Sequence, residues 1–284
     1  MGVIVKLKRP RSAAGVRGPD APREAPKRGE VKSVDRALAI LRAFDHQASR
    51  LTIQEIAERA RVPRPSIYRF IKTLIRHDFV VELDEDSGQR CYAVGPAILE
   101  LGRIGMGEAD LRRCAVSVMR MIAEQTGESA YLSVRQGSRA ICIEAVDAIT
   151  PLRYGGRVGF AYPLYAGSPK VILAFLEPAH RDQVIKTLEL KPLTHNTIDN
   201  RRELLRRLET IRRRGYEVSC GEIFAGTKAI GAPILDEHGY AIAVLSVGAP
   251  QERIPRANET LLARIVKQGA QEITRRFRRK TATT

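Results

Sequence analysis

The side chains best suited to chemistry in this chain are cations at helical spacing. In RVPRPSIYRFIKTLIRH, residues 61–77, Ile67, Phe70, Ile71, Leu74 and Ile75 fall within one apolar stripe at about 100° per residue, and Pro65, Arg69, Lys72 and Arg76 fall opposite it. Ser66, Tyr68 and Thr73 flank that ridge, and Arg64 stands at its start. Such a ridge can donate to base edges near the helix N-terminus and to phosphates further along. A plain solvated face would carry the same residue types, so the neighbouring elements have to decide.

A second candidate is PLYAGSPK, residues 163–170. Ser168 can cap a helix whose first residue is Pro169, leaving backbone N–H groups and the helix dipole facing an anion, with Gly167 allowing close approach. The plainer reading is a Ser-Pro pair that merely starts a helix. A third candidate is Cys220 as a nucleophile, with Glu222 and one of His46, His77, His180, His195 or His238 as base. Nothing in the sequence places a histidine near Cys220, and a lone cysteine in a strand is usually a small core residue. Cys91, Cys114, Cys142 and Cys220 are widely separated and form no C-x-x-C pair. Neither a zinc site, a disulfide framework nor a cofactor is expected.

The elements around the basic ridge favour DNA. TIQEIAERA opens with Thr52 and has Glu55 three residues on, a reciprocal capping box, and Ile53, Ile56, Ala57 and Ala60 line one face of the helix it starts. Only Arg61, Val62 and Pro63 separate this helix from the next, the short connection of a helix-turn-helix. Upstream, SVDRALAILRAF predicts a first helix capped by Ser33, with Val34, Leu38 and Leu41 facing inward beside Ala37 and Phe44. Downstream, Phe79–Leu83 and Cys91–Val94 read as two short strands about an acidic turn at Asp84–Gly88. Three helices and a hairpin make a winged helix-turn-helix; at the acidic wing, Gln89 and Arg90 are the expected DNA-side contacts. Pro96 then opens a linker helix, PAILELGRIG.

The chain has 284 residues, 44% of them apolar, enough for two compact domains. Its longest apolar run, Val171–Leu176, is far too short for a membrane span, and the N-terminus has no secretory apolar segment, so a cytoplasmic protein without a membrane partner is expected. Net charge is +16, unevenly spread: residues 1–30 hold 8 Lys/Arg against 3 Asp/Glu, residues 31–100 hold 11 against 10, and residues 101–284 hold 29 against 19. Residues 1–30, rich in Pro, Gly, Ala and Arg, predict a disordered basic arm. Residues 108–280 alternate in type: a helix at ADLRRCAVSVMRMIAEQTG, strands ESAYLSV and AICIEAV, helices from Pro169 and Asp199, strands YEVSC, KAIGAPIL and YAIAVLSVG, and a closing helix from Pro255. This predicts an antiparallel or mixed α+β sheet without a nucleotide-binding fingerprint.

The segments VKSVDRALAILRAF, LTIQEIAERARVPRPSIYRFIKTLIRHDFV, YAVGPAILELG, YPLYAGSPKVILAF, RRRGYEVSCGE and GAPILDEHGYAIAVLSVGAP together resemble the IclR family of bacterial transcriptional regulators, over roughly residues 31–278. The resemblance implies a winged helix-turn-helix at 31–94, a linker helix at 95–107 that helps dimerise, and a GAF-like effector-binding domain at 108–280. It further implies dimers or tetramers on palindromic double-stranded operators, controlled by a small organic acid. Arg64, Pro65, Ser66, Tyr68, Arg69, Lys72, Arg76 and Arg90 would meet DNA. Ala166, Gly167, Ser168, Ser219 or Cys220, Glu222, Thr227, Ala229 and Ser246 would line the effector pocket.

The chain departs from the family where Arg61 replaces a usual turn glycine and Pro65 a hydroxyl residue, so that Pro65 would offer an apolar contact. Ser219, Cys220 and Gly221 stand where acidic residues are frequent, and Ala229 where a cysteine is frequent, which makes a less charged pocket. The remaining alternative is a sequence-independent nucleic-acid binder using the arms KLKRPR and RRFRRK.

Overall fold

The computed structural model describes residues 31–45, 48–84, 90–105, 109–148 and 156–281. The basic arm, the wing tip with Gln89, and His46 lie outside the described residues. Contacts divide the chain into two units, Met1–Gly107 and Glu108–Thr284.

The first unit contains α1 (Lys32–Leu41), β1 (Arg50–Leu51), α2 (Ile53–Ala60), α3 (Arg64–Arg76), β2 (Val80–Asp84), β3 (Arg90–Val94) and α4 (Pro96–Gly105). The three strands form an antiparallel sheet of order β1-β3-β2, in which β1 is an element that hydrophobic periodicity missed because it is only two residues long. Ile56, Ile67, Ile71 and Leu74 are buried with Ile40, Val62 and Val80 in one core. Fully burying an aliphatic side chain of this size contributes about 1.5–3 kcal/mol, so the α3 stripe alone anchors the helix.

The expected inward face of α1 holds only in part: Leu41 and Phe44 pack against the core. Ala39, Ile40 and Ala43 are buried, whereas Val34 and Leu38 are 55% and 50% exposed. Lys32, Asp35, Arg36 and Arg42 leave one broad apolar arc running from Ile40 through Leu41 to Leu38, and packing uses the end of that arc at Ile40, beside Ala39 and Ala43. Ser33 does not cap it either: the extended residue at the N-cap is Val31, which leaves Ser33 inside the first turn.

The linker helix is clamped to the end of α3. Gly95 N–H donates to the Phe79 carbonyl at 2.9 Å and Ala97 N–H to the Asp78 carbonyl at 3.0 Å. Asp78 itself is left-handed, with φ 57°. A Cβ on Gly95 would stand 2.2 Å from the Asp78 carbonyl oxygen, so only glycine fits.

The second unit contains α5 (Ala109–Thr126), β4 (Ser129–Gln136), β5 (Arg139–Val146), β6 (Ala161–Pro163), α6 (Lys170–Ala174), α7 (Pro178–Thr187), α8 (Arg201–Arg214), β7 (Glu217–Cys220), β8 (Thr227–Leu235), β9 (Ala241–Pro250) and α9 (Arg256–Thr281). The strands pair antiparallel throughout in the order β6-β5-β4-β9-β8-β7. Helices α5 and α9 cover one face, where Val118, Ile122, Val266 and Ile273 meet Leu132, Ile230 and Leu245. Helices α6, α7 and α8 belong to the opposite core with Tyr131, Cys142 and Val244. This is the α+β architecture expected from the sequence. Helix α7 and strand β6 were not expected, because α7 has little amphipathic contrast and β6 spans three residues. The helix anticipated from Asp199 begins at Arg201, where the Asn200 side chain accepts from Glu203 N–H at 2.9 Å.

Candidate nucleic-acid interface and ligand site

The recognition segment is built by two local devices. The Thr52 hydroxyl accepts from Glu55 N–H at 3.3 Å while the Glu55 carboxylate accepts from Thr52 N–H at 2.8 Å, so the capping box is complete. The Thr52 N–H first, and then the Thr52 hydroxyl donating to the same carboxylate at 2.9 Å, hold the Glu55 carboxyl below the usual carboxylate range. Helix α2 then stops at Arg61, a left-handed residue with φ 54°, and Val62 N–H closes the turn on the Ala57 carbonyl at 3.1 Å. The position usually held by glycine thus carries a strained arginine, as its place in the turn requires.

Pro65 lies in the first turn of α3, where a missing N–H leaves no hydrogen bond broken. Arg64, Pro65, Tyr68, Arg69, Lys72 and Arg76 are exposed, and Ser66 is half-buried. The side chains of Arg64, Arg69 and Lys72 have no ion-pair or hydrogen-bond partner among the described residues. Arg76 approaches His77 Nε2 at 3.4 Å, and Arg90 pairs with Glu82 across the hairpin at 3.3 Å. An exposed pair of that kind is worth little, so Arg90 can exchange its partner easily.

In the second unit, sheet register assembles a floor of small residues. Tyr131, Ser246, Gly231 and Glu217 form one row across β4, β9, β8 and β7, and Ser129, Gly248, Ala229 and Ser219 form the adjacent row. Alternation along each strand puts both rows on the face opposite α5 and α9. Ser219, Ala229 and Ser246 therefore share one surface. Ser168 lies over it: a Cβ added to Gly231 would stand 2.8 Å from that of Ser168. Gly167, at φ 70°, brings the chain in so closely that a side chain there would strike Ile223. Ala166 is buried directly before this turn. Burial pushes the Tyr131 phenol up to about 12, and its hydroxyl interacts with Ser129 and the Gly156 backbone.

Several expected contacts are arranged differently. Ser168 does not cap a helix: α6 starts at Lys170, has five residues, and has Pro169 at its N-cap without a side-chain hydrogen bond. The N–H groups that a Ser168 hydroxyl would satisfy are already used, Lys170 N–H by Gly167 O at 3.4 Å and Val171 N–H by Ser168 O at 3.0 Å. Cys220 is the other correction. It follows Ser219 on a strand and so points to the opposite face, exposed, with its Sγ 3.5 Å from Gln251 Oε1. Thr227 keeps to the floor side, but its hydroxyl donates to the Phe224 carbonyl at 2.6 Å.

Glu222 takes the place anticipated for an outside anion. Its carboxylate accepts from Gly167 N–H at 3.0 Å and contacts Lys170 Nζ. Lys170 is fully buried and also meets Glu217 at 3.0 Å, and Glu217 in turn accepts from Arg207 Nε at 2.9 Å. Thr197 fastens the loop by donating to the Glu222 carbonyl at 2.7 Å. Two cations thus balance two carboxylates, and the cluster has no surplus positive charge to offer a ligand. Lys170, Glu217 and Arg207 escaped sequence reading, although a lysine within the run PKVILAF and a glutamate in strand phase with Ser219 were visible signals. Among the described residues, no group of three or more His, Cys, Asp or Glu is placed to hold a metal ion.

Comparison with known proteins identifies the family. Residues 33–84 match the family model for the IclR helix-turn-helix domain, and residues 105–275 that for the bacterial transcriptional regulator IclR C-terminal domain. The HTH-type transcriptional regulator KipR of Bacillus subtilis is 30% identical over 247 residues, covering 87% of this chain and 97% of its own. The crystal structure of the Thermotoga maritima IclR superposes with a TM-score of 0.68 at 29% identity, covering 86% of this chain and 98% of its own. An IclR homologue from Microbacterium hydrocarbonoxydans, solved in complex with 4-hydroxybenzoate, has the same fold, with a TM-score of 0.74, 22% identity and coverage of 87% and 99%. With a capped helix-turn-helix followed by an α+β unit, and family models matching both, this chain belongs to the IclR family of bacterial transcriptional regulators.

Proposed function

We propose that the chain reads an operator with α3 and that a small carboxylic acid, bound on the small-residue floor, changes how well it does so. The observation that carries the DNA reading is the set of unpartnered cations on α3, rooted at its N-terminal turn. In helix-turn-helix proteins that end of the second helix meets base edges. Arg64, Pro65, Ser66, Tyr68 and Arg69 are assigned there, with Lys72, Arg76 and Arg90 on phosphates.

For the effector, the floor of Ser219, Ala229 and Ser246 beneath Ala166, Gly167 and Ser168 supports a compact ligand. The Ser168 N–H has no hydrogen-bond partner among the described residues and is the donor assigned to the carboxylate. Because Lys170 and Arg207 are neutralised by Glu217 and Glu222, recognition relies on neutral N–H and O–H donors; Glu222 shapes the site and Cys220 stays outside it. The homologue holding 4-hydroxybenzoate supports an acid of this class.

Exposed Val31 at the N-cap of α1, Val34 and Leu38 on it, and Leu99 and Leu101 on α4 support a homodimer on a palindromic site. A cytoplasmic DNA-binding role fits a chain in which no described helix is long and apolar enough to cross a membrane. Catalysis is not part of this reading, since the thiol of Cys220 meets an amide oxygen rather than an imidazole.

The test is binding of the purified protein to the DNA upstream of its own coding region, with and without a panel of small carboxylic acids, at fixed salt and against random competitor. A specific complex that one acid strengthens or weakens is expected. An effector can shift the complex only by binding the DNA-competent and incompetent states unequally, so indifference to every acid would overturn the effector assignment.

A further inference from the structure

Helix α8 carries seven arginines and two glutamates, and its arginines divide sharply by use. Arg201 donates to the Lys186 and Leu188 carbonyls, Arg207 holds Glu217, and Arg212 donates to the Ala174 carbonyl at 3.3 Å with its guanidinium over the Phe175 ring. Arg202, Arg206, Arg213 and, off to one side, Arg214 are exposed, and their side chains have no ion-pair or hydrogen-bond partner among the described residues. Burial of Leu204, Leu208 and Ile211 fixes the rotation of the helix. At about 100° per residue, Arg202, Arg206 and Arg213 then lie within about 40° of one another on the side facing away from the core. At about 1.5 Å of rise per residue they span about 16 Å in a straight line. Glu209 stands beside them, while Glu203 is occupied at the helix start with Asn200.

We propose that this ridge is a second DNA contact, sequence-independent and made to the phosphate backbone. The inference rests on the chain being a DNA-binding regulator. Affinity for DNA comes largely from neutralising phosphates, yet residues 31–100, which include the helix-turn-helix, hold 11 Lys/Arg against 10 Asp/Glu. Residues 108–284 hold 28 against 19, so the second unit carries a surplus of +9 of the chain's +16, more than the first. Arginine suits phosphate through its fixed fork of donors, and one B-DNA strand offers a phosphate about every 3.4 Å of axis, so a straight cationic line of this length meets several. A protein partner fits less well: interface cores are enriched in aromatic anchors, and the ridge of Arg202, Arg206, Glu209 and Arg213 contains none.

The experiment measures log affinity against log salt for a random-sequence duplex several helical turns long, using the full chain and the triple variant Arg202→Gln, Arg206→Gln, Arg213→Gln. With each phosphate contact contributing about 0.9 to the slope, the variant is expected to show a slope shallower by about 2 to 3, with an unchanged melting temperature. The corresponding triple Arg→Lys variant should keep the wild-type slope. A Gln variant with wild-type slope and affinity would overturn the proposal, as would a Lys variant that loses as much as the Gln variant, since charge would then not be the cause. Equal wild-type affinity for upstream and random DNA would instead contradict the regulator reading while leaving the ridge measurable.

Discussion

Lys72 and Lys170 show how differently the two units use a cation. Lys72 stands on the exposed face of α3 without a partner, whereas Lys170 is fully buried between Glu217 and Glu222. The first costs the fold almost nothing and is available to an outside anion. The second is stable only because two carboxylates flank it, Glu217 being shared with Arg207, and it is spent on holding the loops at Gly167 and Glu222 in place. On the proposed reading, charge on α3 is therefore a binding device, and charge inside the second unit is a positioning device.

The largest effect that could sharpen this contrast is expected at Lys170. Replacing it by Met leaves Glu217 and Glu222 with one cation between them, and a loss of about 3–5 kcal/mol is expected in denaturant unfolding. A loss within error would place the cluster in water and remove the contrast. At the linker, Gly95→Ala forces a Cβ onto the Asp78 carbonyl and is expected to cost about 1–3 kcal/mol in the same measurement.

Arg69→Ala should do the reverse of Lys170→Met. Specific DNA binding falls by about 1–3 kcal/mol in a titration, while stability changes by no more than about 0.5 kcal/mol. Loss of the Thr52 cap in Thr52→Ala is expected to cost about 1 kcal/mol. The smallest effect is that of pH. The Glu55 carboxyl is held below its ordinary range in the folded state, so its contribution is present above the unfolded value of about 4.3 and is lost as pH falls through the lower folded value. Glu55→Gln should flatten that part of the acid limb while keeping the capping hydrogen bonds.

The same contrast explains what the sequence could reveal. The exposed basic face of α3, the capping box and the left-handed Arg61 depend on residues within a few positions of each other, within reach of periodicity, cap spacing and the family resemblance. The small-residue floor depends on which strand lies beside which: Ser219, Ala229 and Ser246 meet only through the register of β7, β8 and β9. The ion cluster joins Lys170 to residues about fifty positions away, beyond the reach of any local pattern. Where local rules did fail, at α1 and Ser168, the cause was equally physical. A broad apolar arc does not fix which of its edges turns inward, and a serine cannot cap N–H groups that the backbone already satisfies.

The central claim is that α3 carries sequence readout. Its most direct test is a competition between the upstream DNA and random duplex at one salt concentration, for the wild type and for Arg69→Ala. The wild type is expected to prefer its own upstream DNA by about 10³-fold or more, and Arg69→Ala to lose much of that preference while keeping its affinity for random duplex. Equal preference in the two proteins would contradict readout through α3.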